Sequence, residues 1–141
     1  MSTNSYIGYL LPNGDVRSIY CHSDGYISHN GRILVENYQA ARDIAQMVEL
    51  GDMSCLRHNI HPTPSMPHSR ANRQPVVSLY YSRDLREDGY ETSGHEPENY
   101  GLEECIECLE GDDHFYLWTG KEWLVWNDEI VCFPVKELLD Q

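Results

Sequence analysis

Four side chains suited to chemistry or recognition, Tyr20, His22, Asp24 and Tyr26, fall at every second position of the stretch Ile19-Tyr-Cys-His-Ser-Asp-Gly-Tyr-Ile27. Asp-Gly is a strong turn dipeptide. A strand is therefore predicted to end near His22 and a new element to begin after Tyr26. That junction would gather the four side chains at the end of an element, where they can face a ligand or a partner. Cys21, His22 and Asp24 also suggest a nucleophile, a base and an orienting acid. Strand alternation, however, puts Cys21 and His22 on opposite faces, which is poor geometry for a dyad. The competing reading of all four is a polar turn whose rings pack on a neighbouring helix. No G-x-S-x-G, P-loop, glycine-rich dinucleotide loop or paired-carboxylate motif occurs. No catalytic residue is assigned on this basis, and the chain reads as non-enzymatic, with a small hydrolase as the alternative.

A second chemical candidate is Cys105-Ile106-Glu107-Cys108, the C-x-x-C spacing that brings two thiolates to one zinc. His58 and His61 are the residues that would complete a mixed site, since no other C-x-x-C exists. Cys105 lies on the apolar stripe of a predicted helix, which favours a core thiol. No metal and no other cofactor is expected.

The elements that must position these residues follow from hydrophobic period and turn chemistry. Tyr6–Leu11 and Val16–Tyr20 flank Pro12-Asn13-Gly14-Asp15, the strongest short-range hairpin signal. Ser28 suits the N-cap of a short helix through Gly31–Tyr38. In Gln39–Leu50, Ala40, Ile44, Met47 and Val48 fall at helical spacing, and Gly51 suits the position just past the helix end. Residues 57–75 contain Pro62, Pro64 and Pro67, three histidines and no acid, and read as a long loop. Val76–Tyr81 reads as a third strand and residues 82–100 as a polar connection. Leu102, Cys105, Ile106 and Leu109 form one helical face, with Glu103 and Glu104 in the first turn, where the helix dipole favours negative charge.

His114–Trp118 and Glu122–Trp126 form a second hairpin around Thr119-Gly120-Lys121. Both its faces carry large apolar groups, Phe115 and Leu117 on one, Tyr116 and Trp118 on the other. One face belongs to the core, and the other is to be covered by another element or a subunit. Ile130–Phe133 reads as a last short strand and Pro134 as the first turn of a terminal helix to Leu139. The order ββ-αα-β-α-ββ-α is that of a single α+β domain, a mainly antiparallel sheet built from two hairpins plus one strand, with helices packed on one face.

At 141 residues one core suffices. No apolar run reaches the length of a membrane span, and the polar start Met1-Ser-Thr-Asn-Ser is unlike a signal peptide, so a cytoplasmic location is expected. Five cysteines without framework spacing agree with a reducing compartment. The net charge of −13 is segregated: residues 1–86 balance at +1, whereas residues 87–141 set sixteen acids against Lys121 and Lys136. Such an acidic half repels phosphate backbones, which disfavours direct nucleic-acid binding. It suits a basic partner, including the nucleic-acid channel of another protein. Tyr116, Trp118, Trp123 and Trp126 are candidate anchors for a protein partner, because Tyr and Trp are favoured at interfaces.

Ile-Tyr-Cys-His-x-Asp-Gly-Tyr at 19–26, Gly31-x-x-Leu34 with Tyr38, and Leu50-Gly51-Asp52-x-Ser54-x-Leu56 are joined by two further motifs. These are Tyr81-x-Arg83-Asp84-x-x-Glu87-Asp88 and Tyr116-Leu117-x-x-Gly120-x-x-Trp123. Together they resemble a family of small, mostly uncharacterised proteins of bacteriophages and prophages. Position 23, often Trp in that family, is Ser here, and the 57–75 loop diverges. The resemblance implies an accessory protein of the host cytoplasm that binds and inhibits a host factor by protein–protein contact. A typical target would be a defence or nucleic-acid-handling complex such as a CRISPR effector. The alternative within that setting is an oligomeric sequestering protein, such as a homodimer, for a nucleotide immune signal, with Tyr20, His22, Asp24, Tyr26, Arg83 and Arg86 gripping the ligand, since arginine forks and aromatic faces suit phosphates and bases.

Overall fold

Asn13-Gly14 closes the first hairpin as its turn chemistry dictates. Strand β1 (Ser5–Leu10) pairs antiparallel with β2 (Asp15–Cys21), with Leu10 opposite Val16 and Ser5 opposite Cys21. Gly14 takes φ +92°, and the Asn13 side chain accepts the Asp15 N–H at 3.0 Å. The computed structural model describes residues 3–69, 71–85 and 95–140. Among them, β6 (His114–Trp118) lies parallel beside β1 and forms the second hairpin with β7 (Trp123–Trp126). Short strands β3 (Met53–Cys55), β4 (Leu79–Tyr80) and β8 (Phe133–Pro134) extend the sheet to the order β4-β3-β2-β1-β6-β7-β8. Strand β5 (Glu98–Gly101) pairs antiparallel with β2 outside that path. The protein is a single α+β domain with a mixed, mostly antiparallel sheet.

Strand alternation divides the apolar residues between two faces. Ile7, Ile19, Cys21, Tyr116, Trp118, Trp123 and Val125 look one way. They pack under the π-helical turn Ile27–Gly31, α1 (Arg32–Asn37), α2 (Ala41–Glu49) and α5 (Val135–Leu139), which contribute Leu34, Ile44, Met47, Val48 and Val135. Val16, Phe115, Leu117 and Trp126 look the other way, and α4 (Leu102–Glu107) covers them with Leu102, Cys105 and Ile106, followed by Leu109. The expected stripe is there. Helices therefore occupy both faces, not one, because the second hairpin is apolar on both sides and α4 is the element that closes its far side.

Other departures have local causes. Ser28 does not cap a helix; the chain enters α1 through the π-helical turn, with Tyr26 at its N-cap and no side-chain cap bond. The strand expected over 76–81 shortens to β4, and Tyr81 starts α3 (Tyr81–Asp84), where the Asp84 carboxylate accepts the Tyr80 N–H at 2.9 Å. Strand β5 arises in what reads as a polar connection, because Glu98-Asn99-Tyr100-Gly101 is an exposed strand with no buried face to impose a period.

The 57–75 loop is pinned from within. Buried Gln74 accepts the Thr63 N–H at 2.8 Å and donates to the Met66 carbonyl at 3.1 Å. His68 Nδ1 accepts the Gln74 N–H at 3.0 Å, which leaves the ring proton on Nε2 to donate to the Ser78 carbonyl at 2.9 Å.

Gly51 ends α2 with φ +93°, and a Cβ there would lie 2.3 Å from the His95 carbonyl oxygen, whereas one on Gly14 would meet nothing within 4 Å. Gly14→Ala should therefore cost only the left-handed backbone strain, about 1–2 kcal/mol. Gly51→Ala adds a backbone collision and should cost on the order of 3 kcal/mol or more. Urea-unfolding midpoints of the two variants would read the difference.

Candidate functional site

Strand β2 has β1 along one edge, while its other edge is shared: Asp15–Ser18 face β5 and Cys21 faces Met53 of β3. Tyr20 falls between those two partners. Its outward N–H donates to Asp52 Oδ1 at 2.8 Å, so a side chain completes the ladder where no strand does. The positive φ at Gly51 turns the chain off α2 to deliver this carboxylate. Asp52 also donates its N–H to the His95 carbonyl at 2.8 Å and accepts the Tyr81 N–H at 3.2 Å. Its Oδ2 stands 3.3 Å from His95 Nδ1, and the His95 ring stacks on Tyr81 with centroids 4.9 Å apart. Burial raises the Asp52 pKa above the ordinary carboxyl value, opposed by the Tyr20 N–H and by His95.

Above this junction a cavity of about 400 Å³ opens between the sheet, β5 and α4. Tyr6, Tyr20 and Tyr100 give it three phenol rings, and Asp52, Glu96, Glu98 and Glu104 give it four carboxyl groups. Ser18 and Ile19 line it from β2, and Cys105 and Cys108 from the α4 side. Among the described residues no Lys or Arg lines it. The Tyr6 and Tyr20 rings sit 5.6 Å apart, tilted by 58°. Burial pushes the Tyr20 hydroxyl up to about 12, so it keeps its proton, and its oxygen lies at hydrogen-bond distance from His22 Nδ1, 2.8 Å away. Burial first, with Cys108 beside it, takes the Cys105 thiol to about 11, which leaves it protonated at neutral pH. Such a space can take a cationic group: aromatic faces attract it through their quadrupoles, and carboxylates supply the opposite charge.

The structure splits the four residues of the 19–26 stretch. Tyr20 lines the cavity, and His22, which is not among the lining residues, pairs with its hydroxyl. Asp24 and Tyr26 gather instead about His29 at the π-helical turn: the Tyr26 and His29 rings meet edge-on at 5.9 Å, and Asp24 Oδ2 lies 3.9 Å from His29 Nε2. The turn itself differs from the Asp-Gly expectation. Asp24 takes the positive φ of 56°, and Gly25 is needed for close approach, since a Cβ there would sit 2.7 Å from the Asn4 carbonyl oxygen. Cys21 and His22 do point apart. The sulfur is buried beside Asn30 Nδ2 at 3.6 Å, and burial lifts its thiol to about 12, while the imidazole is exposed.

Arg83 is not free to grip a phosphate. Its guanidinium pairs with Asp84 at 2.7 Å, donates to the Ile60 and Ser78 carbonyls, and lies 4.8 Å from the centroid of the Tyr80 ring. Arg86 lies outside the described residues. Tyr116, Trp118, Trp123 and Trp126, expected as surface anchors, are core side chains at 0, 7, 3 and 5 % exposure. The physical reason is α4 on one side of their hairpin and the α1, α2 and α5 layer on the other. Tyr116 donates its hydroxyl to the Gly25 carbonyl at 2.6 Å, and Trp123 its Nε1–H to the Tyr38 carbonyl at 2.8 Å. Cys105 and Cys108 share the α4 side of the cavity, and no three His, Cys, Asp or Glu side chains converge as a metal-ligand group among the described residues. Among those residues no helix is long and apolar enough to cross a membrane.

Sequence reasoning missed Tyr6, Asp52, His95, Glu98, Tyr100 and Glu104 as members of one site. The one available signal was the Gly51-Asp52 pair directly after a helix, a glycine that turns the chain followed by a short carboxylate. No protein-family model, curated protein or solved structure matches this chain.

Asp52→Ala should cost about 1–3 kcal/mol by leaving the Tyr20 N–H without an acceptor. Asp52→Asn keeps an oxygen there and should cost far less. Because the folded-state pKa of Asp52 is raised above its ordinary 3.8, the ionised carboxyl lowers stability. That penalty is absent below 3.8 and complete above the folded-state value. Asp52→Asn should therefore gain on the native protein as pH rises through that window, a trend that denaturant melts at successive pH values would follow.

Proposed function

We propose that this chain is a non-catalytic binding protein that holds a basic segment of a protein partner, seating a lysine or arginine side chain in the tyrosine-walled cavity. One observation carries the reading: three phenol rings and four carboxyl groups line one cavity, and among the described residues no Lys or Arg lines it. The nearest cation on β2, Arg17, is taken up by a bidentate pair with Glu49 and a 2.8 Å bond to Asn99. The acidity of residues 87–141 extends the same preference over the surrounding surface and would speed encounter with a basic partner. The resemblance to small phage accessory proteins supports a setting in which the partner is a host factor and occupancy inhibits it, as an anti-defence inhibitor would. The same carboxylates repel a phosphate, which disfavours the nucleotide-signal alternative at this cavity.

A fluorescent arginine- and lysine-rich peptide titrated into the protein should bind saturably, with affinity falling as salt is raised. Glu98→Gln together with Glu104→Gln should weaken it roughly fivefold to tenfold. Tyr20→Leu should also weaken it, while Tyr20→Phe, which keeps the ring, should bind like the native protein. Undiminished binding by the Gln pair, or none by the native protein, would overturn the reading.

A further inference from the structure

The chain has one Cys-x-x-Cys, and both of its thiol residues, Cys105 in α4 and Cys108 at the end of that helix, border the tyrosine-walled cavity. Helical spacing sets their Cα atoms about 5 Å apart on one face, inside the roughly 4.4–6.8 Å that a disulfide spans. Their Cβ atoms, at about 5–6 Å, must still come about 1 Å closer. The end of α4 is where that is easiest. Cys108 is the C-cap, with φ −79° and ψ −8°, and its N–H reaches the Glu104 carbonyl at 3.1 Å. The next N–H, of Leu109, already bonds three residues back, to the Ile106 carbonyl at 3.2 Å. A 3₁₀ turn brings residues i and i+3 into line, so extending this tighter turn back by one residue draws the two sulfurs together.

The two thiols differ in access. Cys108 is exposed, so a reagent reaches it first. Cys105 is half-buried against the cluster of Phe115, Leu117 and Trp126, and burial keeps its thiol protonated. The carboxyl groups of the cavity, with Glu107 and Glu110 on either side of Cys108 in sequence, suit a reagent that carries positive charge.

We propose that Cys105 and Cys108 are a reversible dithiol–disulfide pair, closed by a small cationic disulfide, and that closure reshapes the α4 wall of the cavity. The Cys108 thiolate attacks one sulfur of the reagent, forming a mixed disulfide and expelling the first reagent thiol. Cys105 then loses its proton and attacks the Cys108 sulfur, forming the Cys105–Cys108 bond and expelling the second. Two protein thiols are oxidised, the reagent's disulfide is reduced to two thiols, and the two protons pass to them. Closure moves the Cys108 N–H from the Glu104 carbonyl to that of Cys105, so Glu104, a lining residue, shifts with it. The inference depends on this geometry and not on what the cavity binds.

Trypsin cuts after Arg86 and Lys121, and the fragment 87–121 holds Cys105 and Cys108 and no other cysteine. Native protein treated with cystamine, a dicationic disulfide, should yield that fragment lighter by two hydrogen atoms and closed to alkylation, and dithiothreitol should restore two alkylatable thiols. Cys105→Ser should stop at a mixed disulfide on Cys108. In the ¹⁵N-labelled protein, closure should move the backbone amide signals of Ser18 and Tyr20, which border the cavity, while those of Trp123 and Val125 hold their positions. A native fragment that keeps two alkylatable thiols, or that ends as a mixed disulfide, would overturn the pair. Closure that leaves Ser18 and Tyr20 unmoved would overturn the reshaping. Both readouts work without a peptide, so this inference and the basic-partner reading fail separately.

Discussion

The carboxylate of Asp52 occupies the one place on β2 where the sheet has no strand to offer. Strand β5 leaves the second edge of β2 at Ser18 and β3 joins it at Cys21, so the Tyr20 N–H would otherwise be a half-buried orphan. A carboxylate there is costly, as the upward push on its pKa records, yet the residue ties three segments together. Its side chain fixes β2 and faces His95, its N–H holds the His95 carbonyl, and its own carbonyl accepts from Tyr81 at the start of α3. The gap in the ladder is also what lets the Tyr20 ring border an open space. A continuous strand in place of the β5 and β3 pair would bring its own side chains across that floor. Site and fold thus share one residue.

The second organising constraint is the two-faced hairpin of β6 and β7. Five consecutive buried residues, His114 to Trp118, need cover on both sides. The helix-rich layer supplies one cover, and α4 the other. Because α4 is short and tops only Val16, Phe115, Leu117 and Trp126, the sheet beyond it, at Tyr6, Ser18 and Tyr20, is left without a helical roof. The tyrosine-walled cavity is the uncovered remainder of that face, and three of its four acids, Glu96, Glu98 and Glu104, come from the stretch of chain that carries β5 and α4. The helix that satisfies the core therefore also sets the charge of the cavity.

Much of this was legible wherever a residue's own period or turn chemistry decides the outcome. Asn13-Gly14 announces the hairpin, Ile44, Met47 and Val48 announce α2, and Leu102, Cys105 and Ile106 announce α4. Legibility ended where a residue is set by something distant in sequence. Strand β5 is polar throughout and forms only because β2 offers it an edge. Trp126 looks like a surface anchor until α4, with its modest stripe of Leu, Cys and Ile, is seen to reach it, and Trp118 and Trp123 until the layer of α1, α2 and α5 is seen on the other face. Of the candidate site, Tyr20 and His22 could be found from their strand, but their neighbours Tyr6, Asp52 and Glu98 come from three other segments. Asp24 and Tyr26, adjacent in sequence to Tyr20, go elsewhere because the π-helical turn swings them toward His29.

Charge segregation ties these points together. Glu96, Glu98, Glu103, Glu104, Glu107 and Glu110 fall within fifteen residues of chain, and their mutual repulsion works against the compact state. A chain shaped for stability alone would place cations among them. Here Arg17 is bound to Glu49, Arg83 to Asp84, and the two lysines line a cavity on the opposite face of the sheet. Among the described residues, these cations are committed to a partner or face away. The concentration of carboxylates is then an electrostatic cost at the cavity, one that a cationic group from outside the chain would relieve. That relief is largest where the phenol rings keep water away, since a charge pair gains most in the least polar surroundings.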